Sequence, residues 1–360
     1  MTSEPAQSTP ADLTVALGTA TESSSARTPT SPIRGRAWLL VLLVTGLLIA
    51  GAVTASLQFI ELRTSPPLRV ALNPWPGYEF ASLAAELGYF EEEGVKVRLV
   101  ELSSLSDCRR AFERHQVDGM FSTLVEVLLS QQQSGLPSEI ALVADASEGA
   151  DVILAREDLP DLASLKGRRI AVEDASINEV ILLRALQSAG MALADVQVLH
   201  MAALEMPRAF AEGRIDAAVS YPPMSLQLLS LGAHTIFCTR TMPGVILDVL
   251  AFHRDTATNR PDDIAAFGRA FFRAMEYAEQ NPQKALTLMA ARQGITADQF
   301  REVLSGGIRL IGAAEQRGYL SPGGRLHTTT RLITADLATI AVWKNRARRS
   351  VIAGETSIPR

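Results

Sequence analysis

The chain has 360 residues, 47% hydrophobic and 20% charged, a balance that builds a globular core and argues against a wholly disordered protein. Its formal net charge of -5 gives no basic footprint, which argues against a nucleic-acid partner. The two cysteines, Cys108 and Cys238, form no C-x-x-C pair, so a zinc ribbon or thioredoxin-like centre is not expected; both are read as buried free thiols with no disulfide between them.

From the N-terminus, residues 1–36 are rich in Ser, Thr, Ala and Pro. They cannot bury enough surface to offset their ordering entropy, and are expected to be a disordered cytoplasmic tail. Residues 37–60 carry no charge and follow Arg27, Arg34 and Arg36. About 20 apolar residues suffice to cross a bilayer as a helix, and the basic flank places the N-terminus inside and the remainder outside. Two outcomes stay open: an uncleaved single-pass anchor, or a signal segment cut after Ala52 or Ala55. Cysteine is absent from this stretch, which rules out a lipoprotein anchor. Residues 61–67, with Pro66 and Pro67, read as a stiff linker.

Beyond the linker, short apolar runs alternate with amphipathic ones. Strands are expected at 68–73, 95–101, 118–122, 140–144, 151–155, 168–172, 196–201, 215–220 and 245–252. Helices are expected at 79–90, 107–115, 124–133, 177–189, 204–212 and 223–231, and then at 262–280, 282–293, 297–305 and 330–344. This alternation predicts mostly parallel sheets covered on both faces. Ligands in such folds sit at the carboxyl ends of strands, so functional residues belong in strand-to-helix loops.

Several stretches together resemble the nitrate/sulfonate/taurine-type ABC transporter solute-binding proteins, a group that includes binders of thiamine-pyrimidine precursors. They are Asn73-Pro-Trp-Pro-Gly-Tyr78, Gly88-Tyr-Phe90, Val117-Asp-Gly-Met-Phe-Ser-Thr-Leu-Val-Glu126, Gly149-Ala-Asp151, Leu165-Lys-Gly-Arg-Arg-Ile-Ala-Val-Glu173, Ala209-Phe-Ala-Glu-Gly-Arg-Ile-Asp-Ala-Ala-Val-Ser220 and Pro243-Gly-Val-Ile-Leu-Asp-Val-Leu250. The resemblance implies a type II periplasmic-binding-protein fold, with a ligand cleft between two α/β lobes. Lobe one is expected to hold 68–146 and 248–360, and lobe two 147–247, with chain crossings near Ser147–Asp151 and Leu247–Asp248.

The loops supply the candidate ligand contacts. Trp75 and Tyr78 flank a Pro-Gly turn, and their flat faces suit an apolar, aromatic or cationic ligand. Ser122, Thr123 and Glu126 open a helix, where capping and ligand contact are both possible. Ser147 lies at the first crossing. Asp174, Ser176 and Asn178 follow a strand, in a segment more acidic and less hydroxyl-rich than the family pattern. Tyr221 stands where relatives often have an aromatic, a Glu and a Pro, but here Pro222 replaces the acid. Asp248 lies in the returning strand. None of these positions is Arg or Lys, which tilts the reading away from a free anion and toward a neutral or cationic nitrogenous solute.

The resemblance implies a non-enzymatic binding component of an ABC importer, membrane-tethered through 37–60, with no cofactor or metal. Its partners would be the solute, a permease and an ATPase, and the binding region would be monomeric outside the membrane. Two alternatives are a ligand-sensing receptor subunit and a pyrimidine-synthase-like enzyme. The cysteine-rich motif of the latter is missing, as are P-loop, H-E-x-x-H and G-x-S-x-G patterns.

Overall fold

The computed structural model describes residues 42–51 and 66–355. The first stretch is a ten-residue helix, α1 (42–51), with Leu42, Leu43, Leu47, Leu48 and Ile49 exposed. Among the described residues no helix is long and apolar enough to cross a membrane. The rest of the 37–60 segment, the tail 1–36 and most of the linker 61–67 lie outside the described residues.

Two mixed sheets organise the remainder. The first is built by β1 (Leu68–Leu72), β2 (Val97–Glu101), β3 (Gly119–Thr123) and β4 (Ser138–Ser147), with α2 (Glu79–Glu86), α3 (Tyr89–Glu92), α4 (Leu105–Glu113) and α5 (Leu124–Ser134) between them. The second holds β5 (Val152–Ala155), β6 (Arg169–Val172), β7 (Gln197–His200), β8 (Ala217–Ser220) and β9 (His234–Cys238), with α6 (Ile177–Ser188), α7 (Met206–Ala211) and α8 (Met224–Ser230). The chain then returns through β10 (Leu247–His253), α9 (Arg254–Asn259), α10 (Pro261–Gln280), α11 (Pro282–Gln293), α12 (Ala297–Gly307), β11 (Ile308–Leu310), α13 (Gln316–Leu320) and α14 (Arg325–Glu355). The strand orders are β11-β4-β10-β3-β1-β2 and β7-β6-β8-β5-β9. We call each sheet with its helices a lobe.

The sheets are less parallel than the alternation suggests, because the chain crosses between them twice. β4 and β9 run out of their sheets, so β5 and β10 enter the opposite ones reversed. β5 lies antiparallel between β8 and β9, and β10 antiparallel between β3 and β4. β10 is buried at all seven positions, since neighbours cover both edges and helices both faces; its sequence shows no polar alternation for that reason. Two strands escape the sequence pattern. β9 and β11 are edge strands, short and only partly buried.

The first crossing is clamped by α12. The carbonyl of Gly307 accepts from Glu148 N (2.8 Å) and Ala150 N (3.2 Å). A Cβ on Gly307 would stand 2.5 Å from Ala150 N, so the contact requires glycine there. The last helix does not stay with the first lobe. Arg184 of α6 pairs with Asp336 of α14 at 2.8 Å, and Lys344 reaches Asp174 (2.9 Å) and Glu179 (2.8 Å) of the second lobe. Cys108 is buried, whereas Cys238 is half-buried at the end of β9, so only the first fits the expectation of a buried thiol; both are free.

The core of the first lobe is aromatic. In α10, Phe267, Ala270, Phe271, Ala274 and Met275 repeat at helical spacing and are buried. Phe271 meets Phe80 with centroids 6.2 Å apart and Phe121 at 5.6 Å. Replacing Phe271 by Ala should lower unfolding free energy by about 3–5 kcal/mol in urea titration. A cost below about 1 kcal/mol would mean that this face of α10 is not core.

Candidate functional site

The loops after β1, β3, β4, β6 and β8, with the first residues of β5 and β10, converge between the lobes. Asn73, Trp75, Tyr78, Leu105, Thr123, Asp151, Tyr221 and Asp248 line a small cavity of about 10 Å³, room for roughly a single water. Two larger grooves, of about 530 and about 560 Å³, lie elsewhere on the surface, and neither is lined by the acids described below.

Local chemistry fixes the aromatic rings. Pro76-Gly77-Tyr78 forms a single 3-10 turn after β1. Trp75 Nε1 donates to both carboxylate oxygens of Asp145, each at 3.2 Å. Tyr78 OH donates to Asp248 in a very close hydrogen bond. Tyr221 OH donates to Glu173 Oε1 (3.1 Å) and accepts from Asn73 Nδ2 (3.3 Å), joining the two lobes. The Trp75 ring meets Tyr221 edge-on at 6.0 Å and Tyr78 at 6.5 Å. A Cβ on Gly77 would fall 1.9 Å from Asp145 Oδ2, so any other residue there would push Asp145 away from Trp75.

Glu126, Asp145, Asp151, Glu173 and Asp248 are all buried, and none takes part in an ion pair among the described residues. Burial of a carboxylate without a cation favours its neutral form. It holds Asp151 up at about 7 and Glu173 at about 8. Asp145 and Asp248 face each other across the β4–β10 ladder. Both are raised, by burial first; the Asp145 charge adds to the rise at Asp248. Burial also pushes Glu126 up, offset by hydrogen bonds from Thr123 and Ile177. Several acceptors here lack partners within the protein: Asn73 Oδ1, Glu173 Oε2, Asn178 Oδ1 and Asp248 Oδ2. A chamber walled by aromatic rings, with spare acceptors and excess acid, is complementary to a group rich in N–H donors, and to a cation above all.

The structure brings Trp75, Tyr78, Thr123, Tyr221 and Asp248 to this cavity. Glu126 and Thr123 form a capping box at the start of α5, with Ser122 Oγ 3.2 Å from Glu126 Oε2. Ser176 caps α6 through Asn178 N (3.2 Å), and Asn178 Nδ2 donates to Val219 O (3.0 Å). Ser147 Oγ lies 3.2 Å from Thr239 Oγ1 and accepts from Asp151 N (3.3 Å), so it braces the crossing. Asp174 is not brought in: its side chain is 55% exposed and paired with Lys344. There it forms part of an Asp174–Glu179–His200 cluster, ligand atoms within 4.8 Å of one another, in which the Lys344 ammonium supplies the positive charge. Sequence reasoning passed over Asn73, Asp145, Asp151 and Glu173 as site residues. The available signal was a charged residue inside or directly after an apolar run, since an acid there must be buried.

With this geometry in place, comparison with known proteins is direct. The NMT1/THI5-like family model matches residues 76–285. A binding protein of Brucella abortus strain 2308 is 27% identical over 247 residues, 68% of this chain and 70% of its own. The formylaminopyrimidine-binding protein of Halalkalibacterium halodurans is 24% identical over 235 residues, 63% of this chain and 70% of its own. The alkanesulfonate-binding protein of Xanthomonas axonopodis, bound to MOPS, superposes with a TM-score of 0.63 at 19% identity, covering 76% of this chain and 93% of that one. The fold is that of the periplasmic binding proteins, and the chain belongs to the NMT1/THI5-like family.

Proposed function

We propose that the protein is the solute-capturing component of an ABC importer, and that its solute is a small nitrogenous compound carried as a cation or as a neutral amine rich in N–H donors. The observation that carries this reading is the buried carboxyl set, which has no ion pair among the described residues, together with the unpartnered acceptors beside Trp75, Tyr78 and Tyr221. A sulfonate or nitrate would meet carboxyl groups in this chamber and no ammonium or guanidinium. The cavity as described is too small for such a solute, so capture requires the lobes to part at the two crossings, a hinge motion. The family membership and the fold support the importer role. The basic flank and apolar run of 37–60 support export, with that segment as anchor or signal and a permease and ATPase as partners.

A thermal-shift panel tests the solute class. Alkylamines, amidines and aminopyrimidines should raise the melting temperature, while nitrate and alkanesulfonates should not. Stabilisation by the anions alone would overturn the reading. Within the amine class, Trp75→Ala and Asp248→Asn should each weaken binding about tenfold or more, an effect of about 1.4 kcal/mol or above. Asp174→Ala should change affinity less than about threefold, because Asp174 answers to Lys344 and not to the chamber.

The raised carboxyls give a pH signature. In the unfolded chain these groups ionise near pH 4. In the folded, unliganded chain Asp151 and Glu173 keep their protons up to about 7 and about 8. The native state therefore binds more protons between these limits, and stability falls as pH rises from about 4 to about 8. A cationic solute reverses the sign, since it favours the ionised acids. Its affinity should rise over pH 6 to 8, and calorimetry in buffers of different ionisation heat should detect proton release on binding. Proton uptake, or a flat profile, would rule out a cation at these acids.

A further inference from the structure

Glu126 spans the lobes through its own carboxylate, with a hydrogen-bond partner on each side. Its Oε2 accepts from Thr123 N (3.0 Å) and from the hydroxyls of Ser122 (3.2 Å) and Thr123, all at the start of α5 in the first lobe. Its Oε1 accepts from Ile177 N (2.8 Å), the first residue of α6 in the second lobe. Both helices run three turns or so, and each N-terminus carries about half a positive charge together with unpaired N–H groups. Two such termini meeting across a cleft are a ready place for an anion. Here the protein has put its own carboxylate between them, fully buried and, among the described residues, paired with no cation.

We infer that Glu126 determines the charge preference of the site: its carboxylate fills the place between the α5 and α6 N-termini where an anionic group of a solute would dock, and so latches the lobes together while turning anions away. The inference rests on the reading of the protein as a binder of donor-rich solutes. It accounts for the use of the Thr123 and Ile177 amides inside the protein, while the acceptors Asn73 Oδ1, Glu173 Oε2 and Asp248 Oδ2 are left over. When the lobes part, Ile177 N and Glu126 Oε1 lose each other, so closure restores a charge-assisted hydrogen bond that does not involve the solute.

The test compares wild type, Glu126→Ala and Glu126→Gln by thermal shift in sodium formate and sodium nitrate, with sodium chloride at equal ionic strength as reference. Glu126→Ala empties a carboxylate-sized space, and formate and nitrate should raise its melting temperature saturably, at millimolar concentrations. Wild type and Glu126→Gln, whose side chains fill that space, should show no anion-specific rise. If Glu126→Ala does not fold in chloride, refolding yield in formate is the readout, and recovery is expected. Glu126→Gln keeps the volume but puts an amide against backbone donors, so its affinity for an aminomethylpyrimidine probe should fall about tenfold at unchanged circular dichroism. A folded Glu126→Ala with no response to either anion, or an unfolded one not rescued by formate, overturns the inference and leaves the solute reading standing. A wild-type chain stabilised by nitrate overturns both.

Discussion

Five carboxyl groups share the space between two lobes, and among the described residues no guanidinium or ammonium is paired to any of them; much of the site follows from that. Charges cannot be left bare in such a place; they must be neutralised by protons, by donors or by a bound cation. Within the protein itself, the first two are at hand. Trp75 Nε1 serves Asp145, Tyr78 OH serves Asp248, Tyr221 OH serves Glu173, and backbone N–H groups serve Glu126. Each aromatic ring is thus oriented by an acid, and the ring faces become the walls of the cavity. Gly77 belongs to the same arrangement, since only a residue without Cβ lets Asp145 approach the turn that carries Trp75.

Closure is held by a small number of polar ties. Asn73 to Tyr221, Glu126 to Ile177 and Ser106 to the carbonyl of Asp174 are direct links between the lobes around the chamber. At the rim, α14 adds Arg184–Asp336 and Lys344 to the Asp174–Glu179 pair. Of these, only the Lys344–Asp174 contact is open to solvent and weakened by screening, Asp174 being exposed while Glu179 is buried. The contacts between the lobes are thus individual polar ties, in contrast to the continuous aromatic packing of Phe80, Phe121, Phe267 and Phe271 inside the first lobe.

How much of this was legible in the sequence depends on where each residue stands relative to its neighbours in the chain. Runs such as LRVAL and RIAV sit in the middle of sheets, and their apolar composition reads through at once. Trp75, Tyr78 and Tyr221 were legible because a large aromatic beside prolines in a strand-to-helix loop has no core to join locally. HTIFC and IRL were missed because edge strands need bury little and so carry a diluted pattern. Asp145 and Glu173 were missed for the opposite reason: their strands read so plainly as packing that the acid at the end passed for a boundary. The choice of Asp174 over Glu173 shows the limit. Adjacent acids in a strand-to-helix loop diverge, one toward the chamber and one toward solvent, and only the backbone path decides which. The mixed strand directions were equally hidden, since they follow from two crossings made far apart in sequence.

The placement of the two thiols has a practical side. Cys108 is sealed in the first lobe, and burial pushes its thiol far above the range where thiolate forms. Cys238 is partly open to solvent and stands opposite Val152 in the β5–β9 ladder, next to Thr239, whose amide is tied to Asp151 O across the two crossings (3.0 Å). A maleimide dye would therefore choose one address without any engineering, and that address is the pivot between the lobes. If the lobes part as proposed, fluorescence from a single label at Cys238 would follow that movement as solute is added.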